Sequence, residues 1–333
     1  MKLFFAVQHI TEPDYGYSYI KERHEQTKLF GKHLYHTHQS LWYKIILWKL
    51  KQTNQVVLDK YYSDACVVVE NAKCTDLNPC GNKPTIRIGA ADDDLIHGPL
   101  SLIRVNCQCP YNVLRIVGNR RYLLAAEKKY NNQTVDIPYA SHVHSWIPEA
   151  SSFERPHKLF IAANWRNHFQ SRNYGFDIWR KDILKYCQSN VDCKHIIPGG
   201  RGYNMPEIAV MYSKSVFCIN PPGDTLARAA IIDSVALGCI PVFLHSQQSN
   251  LWNNFWTSRD CAINLSWELK NKSEQISSLD SLYHLTDIKQ RRRNCILQSN
   301  YLIYNKHVGF DAIYKLNNII QNHVARLTVD SIS

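Results

Sequence analysis

The sequence predicts an α/β protein with a parallel sheet covered on both faces, and three observations carry that expectation. From Lys158 onward, short apolar runs alternate with stretches of helical periodicity, which is how strands and crossover helices alternate in a doubly covered sheet. One strand-to-helix junction carries the turn Pro221-Pro222-Gly223-Asp224-Thr225, at the edge of the sheet where open α/β folds bind ligands. With 333 residues, 45% of them hydrophobic, the chain is long enough for two cores and is neither fibrous nor disordered.

Residues up to about Ala150 mix strand-like runs (Gln55 to Leu58, Ala65 to Glu70, Thr85 to Gly89) with helical patterns. The stretch from Trp146 to Pro156 is polar, contains Pro148 and Pro156, and reads as an interdomain linker. Beyond it, Lys158 to Ala163 reads as a buried strand and Phe176 to Cys187 as a helix, with Trp179, Ile183 and Cys187 at helical spacing. A short strand at His195 to Pro198 follows. Met205 to Lys214 is a helix opened by Asn204 and Pro206. Val216 to Asn220 is a strand, Thr225 to Leu237 a helix stopped by Gly238, Cys239 to Leu244 a strand, and Asp260 to Leu265 a further strand candidate. The expected division is therefore 1–150, 151–310 and a C-terminal helix and tail at 311–333.

Lys plus Arg total 39 against 28 Asp plus Glu, a formal charge of +11 that favours anionic partners without choosing among them. The one tight basic run, Arg291-Arg292-Arg293, reads as a solvated helix face. Of the eleven cysteines, Cys66, Cys74, Cys80, Cys107 and Cys109 lie in the N-terminal half and pair if the chain is lumenal. No Cys-x-x-Cys occurs, so neither a zinc ribbon nor a thioredoxin-type site has support. Cys218, Cys239 and Cys261 sit in apolar runs and read as small buried hydrophobes. Asn132, Asn264 and Asn271 open Asn-x-Ser/Thr sequons, a pattern that also arises by chance. The N-terminal Met1 to Val7 run is interrupted by Gln8-His9 and reads as a buried strand, not a leader. Leu41 to Leu50 is too short to span a bilayer.

The informative stretch runs from Ser215 to Leu244: strand, tight turn, helix, glycine stop, strand. Backbone N–H groups and the helix dipole at such a junction favour an anion such as a diphosphate. Gly223 permits close approach of the backbone, and Thr225 can donate to a phosphate oxygen. Arg228 can set a guanidinium on the same phosphates, and Asp233 can accept from ribose hydroxyls. Simpler readings stand beside these. Asp224 serves as an N-cap, and Asp224 with Arg228 forms an ordinary i,i+4 helix pair. Asp233 on an apolar helix face resists a bland reading, because a buried carboxylate is costly without partners.

This stretch resembles the signature of the exostosin glycosyltransferases, family 47. The resemblance rests on Phe217-Cys218, Pro222-Gly223-Asp224-Thr225, Arg228, Asp233 and Gly238-Cys239-Ile240-Pro241-Val242-Phe243. Val135 to Tyr139, Leu159 to Arg166, Tyr174-Gly175, Cys187, Tyr304 and Asp311-Ala312 echo the family on either side, so the likeness covers roughly residues 134–320. It implies a GT-B architecture, two Rossmann-like domains facing each other across a cleft, with the donor in the second and the acceptor in the first. It further implies inverting transfer of a sugar from a nucleotide-diphosphate donor, in this family usually a UDP-sugar, to a glycan or glycoprotein hydroxyl. No metal and no cofactor beyond the donor substrate is implied. Arg166 and Arg228 would offset the leaving diphosphate's charge, Gly223, Asp224 and Thr225 would form the phosphate turn, and Asp233 would read the ribose or the sugar. Two departures stand out: Leu226-Ala227-Arg228 leaves one arginine where members often carry two, and the N-terminal membrane anchor common among members is not visible. The resemblance points to the Golgi, the lack of a visible leader to the cytoplasm.

Inverting transfer needs a base for the acceptor hydroxyl. It is expected from the N-terminal half or the linker, where Asp92, Asp94, His97 and His142 are the candidates, with His9, Asp93 and His144 nearby in type. Asp92-x-Asp94 also suits a metal-held diphosphate in a different transferase architecture. A catalytically degenerate carbohydrate- or nucleotide-binding module of the same fold is the alternative function. Nucleic-acid binding rests on charge alone, with no recognition motif beside it.

Overall fold

The computed structural model describes residues 1–5, 42–58, 60–70, 84–89, 113–117, 134–139, 141–143, 146–163, 176–198, 205–223, 226–304 and 311–330. The chain divides into two compact units, one built from 1–14, 38–140 and 308–333, the other from 15–37 and 141–307.

In the first unit, β1 (Lys2–Phe5), α1 (Trp42–Thr53), β2 (Gln55–Val56), β3 (Ala65–Glu70), β4 (Thr85–Gly89), β5 (Val113–Val117) and β6 (Thr134–Asp136) follow one another. The strands form a sheet of order β2-β1-β3-β4-β5-β6 with every pairing parallel. Leu3, Val67, Ile86, Ile88, Leu114 and Val135 are buried along it, and α1 buries Ile45, Ile46, Leu47 and Leu50. The C-terminal helix (Ala312–Asp330) belongs to this unit: Asn54 Nδ2 donates to Asn317 Oδ1 at 2.9 Å, and Asn317 Nδ2 donates to Thr53 Oγ1 at 3.0 Å. The helix expected at 311–333 thus packs beside the end of α1.

The second unit comprises β7 (His157–Ala162), α2 (Phe176–Ser189), β8 (Cys193–Ile196), α3 (Met205–Lys214), β9 (Ser215–Asn220), α4 (Ala229–Ala236), β10 (Ile240–Phe243), β11 (Ile263–Asn264), α5 (Lys272–Asp280) and α6 (Ile288–Ser299). Its sheet runs β11-β10-β9-β7-β8, again wholly parallel. Counted along this unit the order is second, first, third, fourth, fifth, so the chain reverses direction across the sheet between β7 and β9. Ligands of such sheets sit at the carboxyl ends of the strands flanking the reversal. The two parallel α/β units are those expected of a GT-B chain.

Several sequence expectations are corrected. The helix expected from Thr225 begins at Ala229, because Arg228 is extended (φ −146°, ψ 140°) and serves as the N-cap. The cap position expected for Asp224 is taken by Arg228, which precedes the helix. The Trp146–Pro156 stretch is no free linker: Ile147 and Ala150 are buried, and Trp146 Nε1 donates to Ile296 O at 3.1 Å. Cys218, Cys239 and Cys261 are not free hydrophobes. Cys218 pairs with Cys239, Cys261 with Cys295 and Cys187 with Cys193, and Cys66 is also disulfide-bonded. Arg291 is more than a solvated face, since its Nη1 donates to the carbonyls of Arg259 and Ala262.

Arg155 lies inside the second unit. Its Nη1 donates to Tyr212 O (2.8 Å) and Ser215 O (2.7 Å), and its Nη2 donates to Ala150 O (2.9 Å) and Leu237 O (2.8 Å). Burial, with Arg292 adding like charge, lowers its pKa to about 9, which leaves it protonated at neutral pH. Gly238 fits beside it at φ 74°: a Cβ there would stand 2.5 Å from Arg155 Nη2 and 2.9 Å from Ala150 O. Only glycine adopts that backbone without strain and leaves room for the guanidinium.

Arg155→Met is expected to lower unfolding free energy by about 3 kcal/mol, since buried carbonyls lose charged donors; Arg155→Lys should recover part of it in chemical denaturation. Replacing Cys218 and Cys239 together by alanine should cost about 3 kcal/mol for a loop of this length, read as a lower melting temperature that added reductant does not lower by the same amount again.

Candidate functional site

The carboxyl ends of β7 and β9 meet where the strand order reverses, and Arg228 joins them. Its Nη1 donates to Pro221 O at 3.1 Å and its Nη2 to Ala162 O at 3.2 Å. Pro221 and Pro222 have no N–H, so this part of the turn offers only acceptors, and cationic side chains take them. Arg180 of α2 donates from Nε (3.0 Å) and Nη2 (2.7 Å) to Pro222 O, with Asp177 Oδ1 3.4 Å from its Nη1. A Cβ on Gly223 would lie 3.4 Å from Arg228 Cγ and 3.6 Å from Arg180 Nη2, so both guanidinium side chains flank that glycine.

Gln248 completes the frame. Its Nε2 donates to Asn220 O (3.1 Å) and Leu226 O (3.2 Å), and its Oε1 accepts from the N–H groups of Leu244 and His245, each at 3.1 Å. One buried amide thus ties the ends of β9 and β10 to the far side of the turn. Beside it, Phe176, Trp179, His245 and Trp267 make edge and tilted ring contacts with centroids 5.2 to 6.4 Å apart. Burial pushes the Glu268 carboxyl up, but hydrogen bonds from the side chain and the backbone N–H of Ser246, with the charge of nearby His245, outweigh it and hold it below its ordinary value.

Asp233, on the second turn of α4, is buried and fully engaged. Its Oδ1 accepts from the Ser141 hydroxyl and from the His142 backbone N–H at 3.0 Å, and its Oδ2 lies 3.0 Å from His142 Nδ1. The His142 side chain is 13% exposed and that of Asp233 3%. A carboxylate against Nδ1 fixes the orientation of an imidazole, as in sites where histidine transfers a proton. Val143 N–H closes the set on Ser141 Oγ at 2.9 Å.

Of the residues singled out by sequence, the structure brings Gly223 and Arg228 together at the reversal and joins His142 to Asp233. Arg166, Asp224 and Thr225 lie outside the described residues, as do Asp92, Asp94 and His97 with His9, Asp93 and His144. Arg180 and Gln248 were not anticipated. Arg180 occupies one polar position among many on an amphipathic helix, and Gln248 follows β10 in an unremarkable polar run, so spacing carried no signal for either.

Residues 104–258 match the exostosin GT47 domain. The chain is 47% identical over 136 residues to the xyloglucan galactosyltransferase MUR3 of Arabidopsis thaliana, a match covering 38% of this chain and 21% of that protein. It is 26% identical over 133 residues to the probable xyloglucan galactosyltransferase GT15 of the same plant, covering 35% of this chain and 27% of that protein. The chain spans about a quarter of the length of the first curated relatives it matches, 25–27%. Among solved structures, the GtfA/B complex aligns over 85% of this chain and 61% of that chain, with 10% identity and a TM-score of 0.45. A trehalose 6-phosphate synthase from Burkholderia multivorans aligns over 93% and 78%, with 9% identity and a TM-score of 0.44.

Asp233→Ala would leave the Ser141 hydroxyl and the His142 N–H groups without their acceptor. It is expected to cost about 3 kcal/mol in chemical denaturation, as for one partner removed from a buried pair, with Asp233→Asn costing clearly less.

Proposed function

We propose, from the match of residues 104–258 to the exostosin GT47 domain and the likeness to the xyloglucan galactosyltransferase MUR3, that this chain moves a sugar from a nucleotide-diphosphate donor to a glycan hydroxyl. The observation that carries this reading is Arg228 bridging the ends of β7 and β9 at the strand-order reversal. On this reading the diphosphate lies against Arg228, which has five N–H donors and spends one hydrogen bond on the turn and one on the end of β7, with Arg180 holding the turn in shape. The charge on the departing diphosphate is then offset by guanidinium, without a metal held by the protein.

His142 is the base on this reading and Asp233 the residue that positions it. The acceptor oxygen attacks the anomeric carbon as the bond from that carbon to the diphosphate oxygen breaks, and the hydroxyl proton passes to His142 Nε2. A single displacement of this kind inverts the anomeric centre. A UDP-sugar is the proposed donor. The compartment is the secretory pathway, a reading supported by three disulfides within one unit, which persist in oxidising surroundings. Among the described residues no helix is long and apolar enough to cross a membrane.

A second reading, a binding module that has lost catalysis, is favoured by the hydrogen bonds that already occupy Arg180 and Arg228 on the turn carbonyls. Thermal-shift measurements with UDP-, GDP- and CMP-sugars, with and without EDTA, test both. One nucleotide sugar should stabilise the protein by about 2.7 kcal/mol at a concentration 100 times its Kd, unchanged by EDTA and lost in Arg228→Ala. A shift that needs a divalent ion and survives Arg228→Ala would move the site to Asp92–Asp94. Binding without transfer to any glycan acceptor would leave the module reading.

A further inference from the structure

Two of the three sequons lie among the described residues, and their amides are engaged in opposite ways. Asn264, in β11, donates from Nδ2 to Ser246 O at 3.0 Å and to Ser249 Oγ at 3.4 Å, while its Oδ1 accepts from the N–H and the hydroxyl of Ser266, the sequon's own serine. Asn271 is the N-cap of α5. Its Oδ1 accepts from Glu274 N–H at 3.0 Å, and Glu274 Oε2 accepts from Asn271 N–H at 3.0 Å, closing a capping box. Among the described residues its Nδ2 makes no hydrogen bond, and Asn271, Lys272 and Ser273 are all exposed.

N-glycosylation acts on the nitrogen and spares the oxygen. Nδ2 attacks the anomeric carbon of an oligosaccharide carried on a lipid diphosphate, the N–C bond forms, the bond from carbon to the diphosphate oxygen breaks, and one amide proton leaves as the lipid diphosphate departs. One N–H remains. At Asn271 the acceptor function of Oδ1 survives, so the cap, a feature worth about 1 kcal/mol, persists with a glycan in place. At Asn264 the nitrogen uses both of its bonds on the 246–249 segment, and a sugar would displace at least one of them and enter that contact. We infer that Asn271, and not Asn264, carries an N-linked glycan when this chain folds in the secretory lumen. The disulfides Cys187–Cys193, Cys218–Cys239 and Cys261–Cys295 provide the independent indication that it folds there.

The full chain, directed into the secretory pathway of a eukaryotic cell by a cleavable signal sequence, is analysed by peptide mass spectrometry on total cell protein after enzymatic deglycosylation in heavy-oxygen water. The expected result is label at Asn271 and none at Asn264. Asn271→Asp keeps a good N-cap and should remove the gel-mobility shift caused by deglycosylation without reducing the yield of folded protein. An unlabelled Asn271, or a labelled Asn264 in the disulfide-bonded protein, would overturn the assignment.

Discussion

The second unit is organised around one half-buried cation. Arg155 draws together the carbonyls of Ala150, Tyr212, Ser215 and Leu237, which belong to the entering segment, the end of α3, the start of β9 and the C-cap of α4. Carbonyls at helix ends carry partial negative charge and lack intrahelical partners, so a guanidinium is the natural donor for several at once. Because β9 ends in the Pro221–Gly223 turn and α4 begins at Arg228's far side, the placement of both depends on this junction. Gly238 is needed there because of its positive φ and because a Cβ would collide with the guanidinium. The Cys218–Cys239 disulfide links β9 to the entry of β10 through the same layer.

From that frame follows the character of the turn. Two successive prolines supply carbonyls and no N–H groups, which removes the usual backbone cradle for an anion over Pro221 and Pro222. The positive charge at the strand-order reversal comes instead from Arg228, with Arg180 beside it on α2. The single arginine after the turn departs from the pattern of the family this stretch resembles. The fold places a second guanidinium there from a different helix, although Arg180 spends its donors on Pro222 O and so holds the turn.

The strands of the second unit were legible because a doubly covered parallel sheet needs short continuous apolar runs, and Leu159–Ile161 and Phe217–Ile219 lie in such runs. The strand order was not, since apolar runs carry no information about which neighbour each pairs with. The start of α4 was misplaced for a local reason: Thr225, Leu226 and Ala227 suit a helix as well as a loop, and the extended Arg228 reflects tertiary hydrogen bonds to Pro221 O and Ala162 O. The cysteines failed differently. A buried half-cystine and a buried free thiol occupy the same apolar surroundings, so Cys218, Cys239 and Cys261 looked like ordinary core residues until their partners were in view. In the site itself, Arg228, Gly223, His142 and Asp233 were visible as unusual residue types in place. Gln248 was not, because its importance lies entirely in four bonds to backbone groups far along the chain.

Asp233 illustrates how acceptor capacity decides a role. Reading a ribose requires lone pairs open to two hydroxyls, whereas this carboxylate already receives the Ser141 hydroxyl, the His142 backbone N–H and His142 Nδ1. A carboxylate offers about four lone-pair directions, and three of this buried group's are taken. Its role is anchorage: it holds residues 141–143 on α4. The cation at the N-cap of that helix and the carboxylate on its second turn are five residues apart, about 7.5 Å along the axis at 1.5 Å per residue. On the proposed reading, the group that offsets leaving-group charge and the group that positions the base are therefore spaced by one short helix. On the same reading the base, expected from the N-terminal half or the linker, is His142, which belongs to the same compact unit as Arg228, so their separation is a property of local structure.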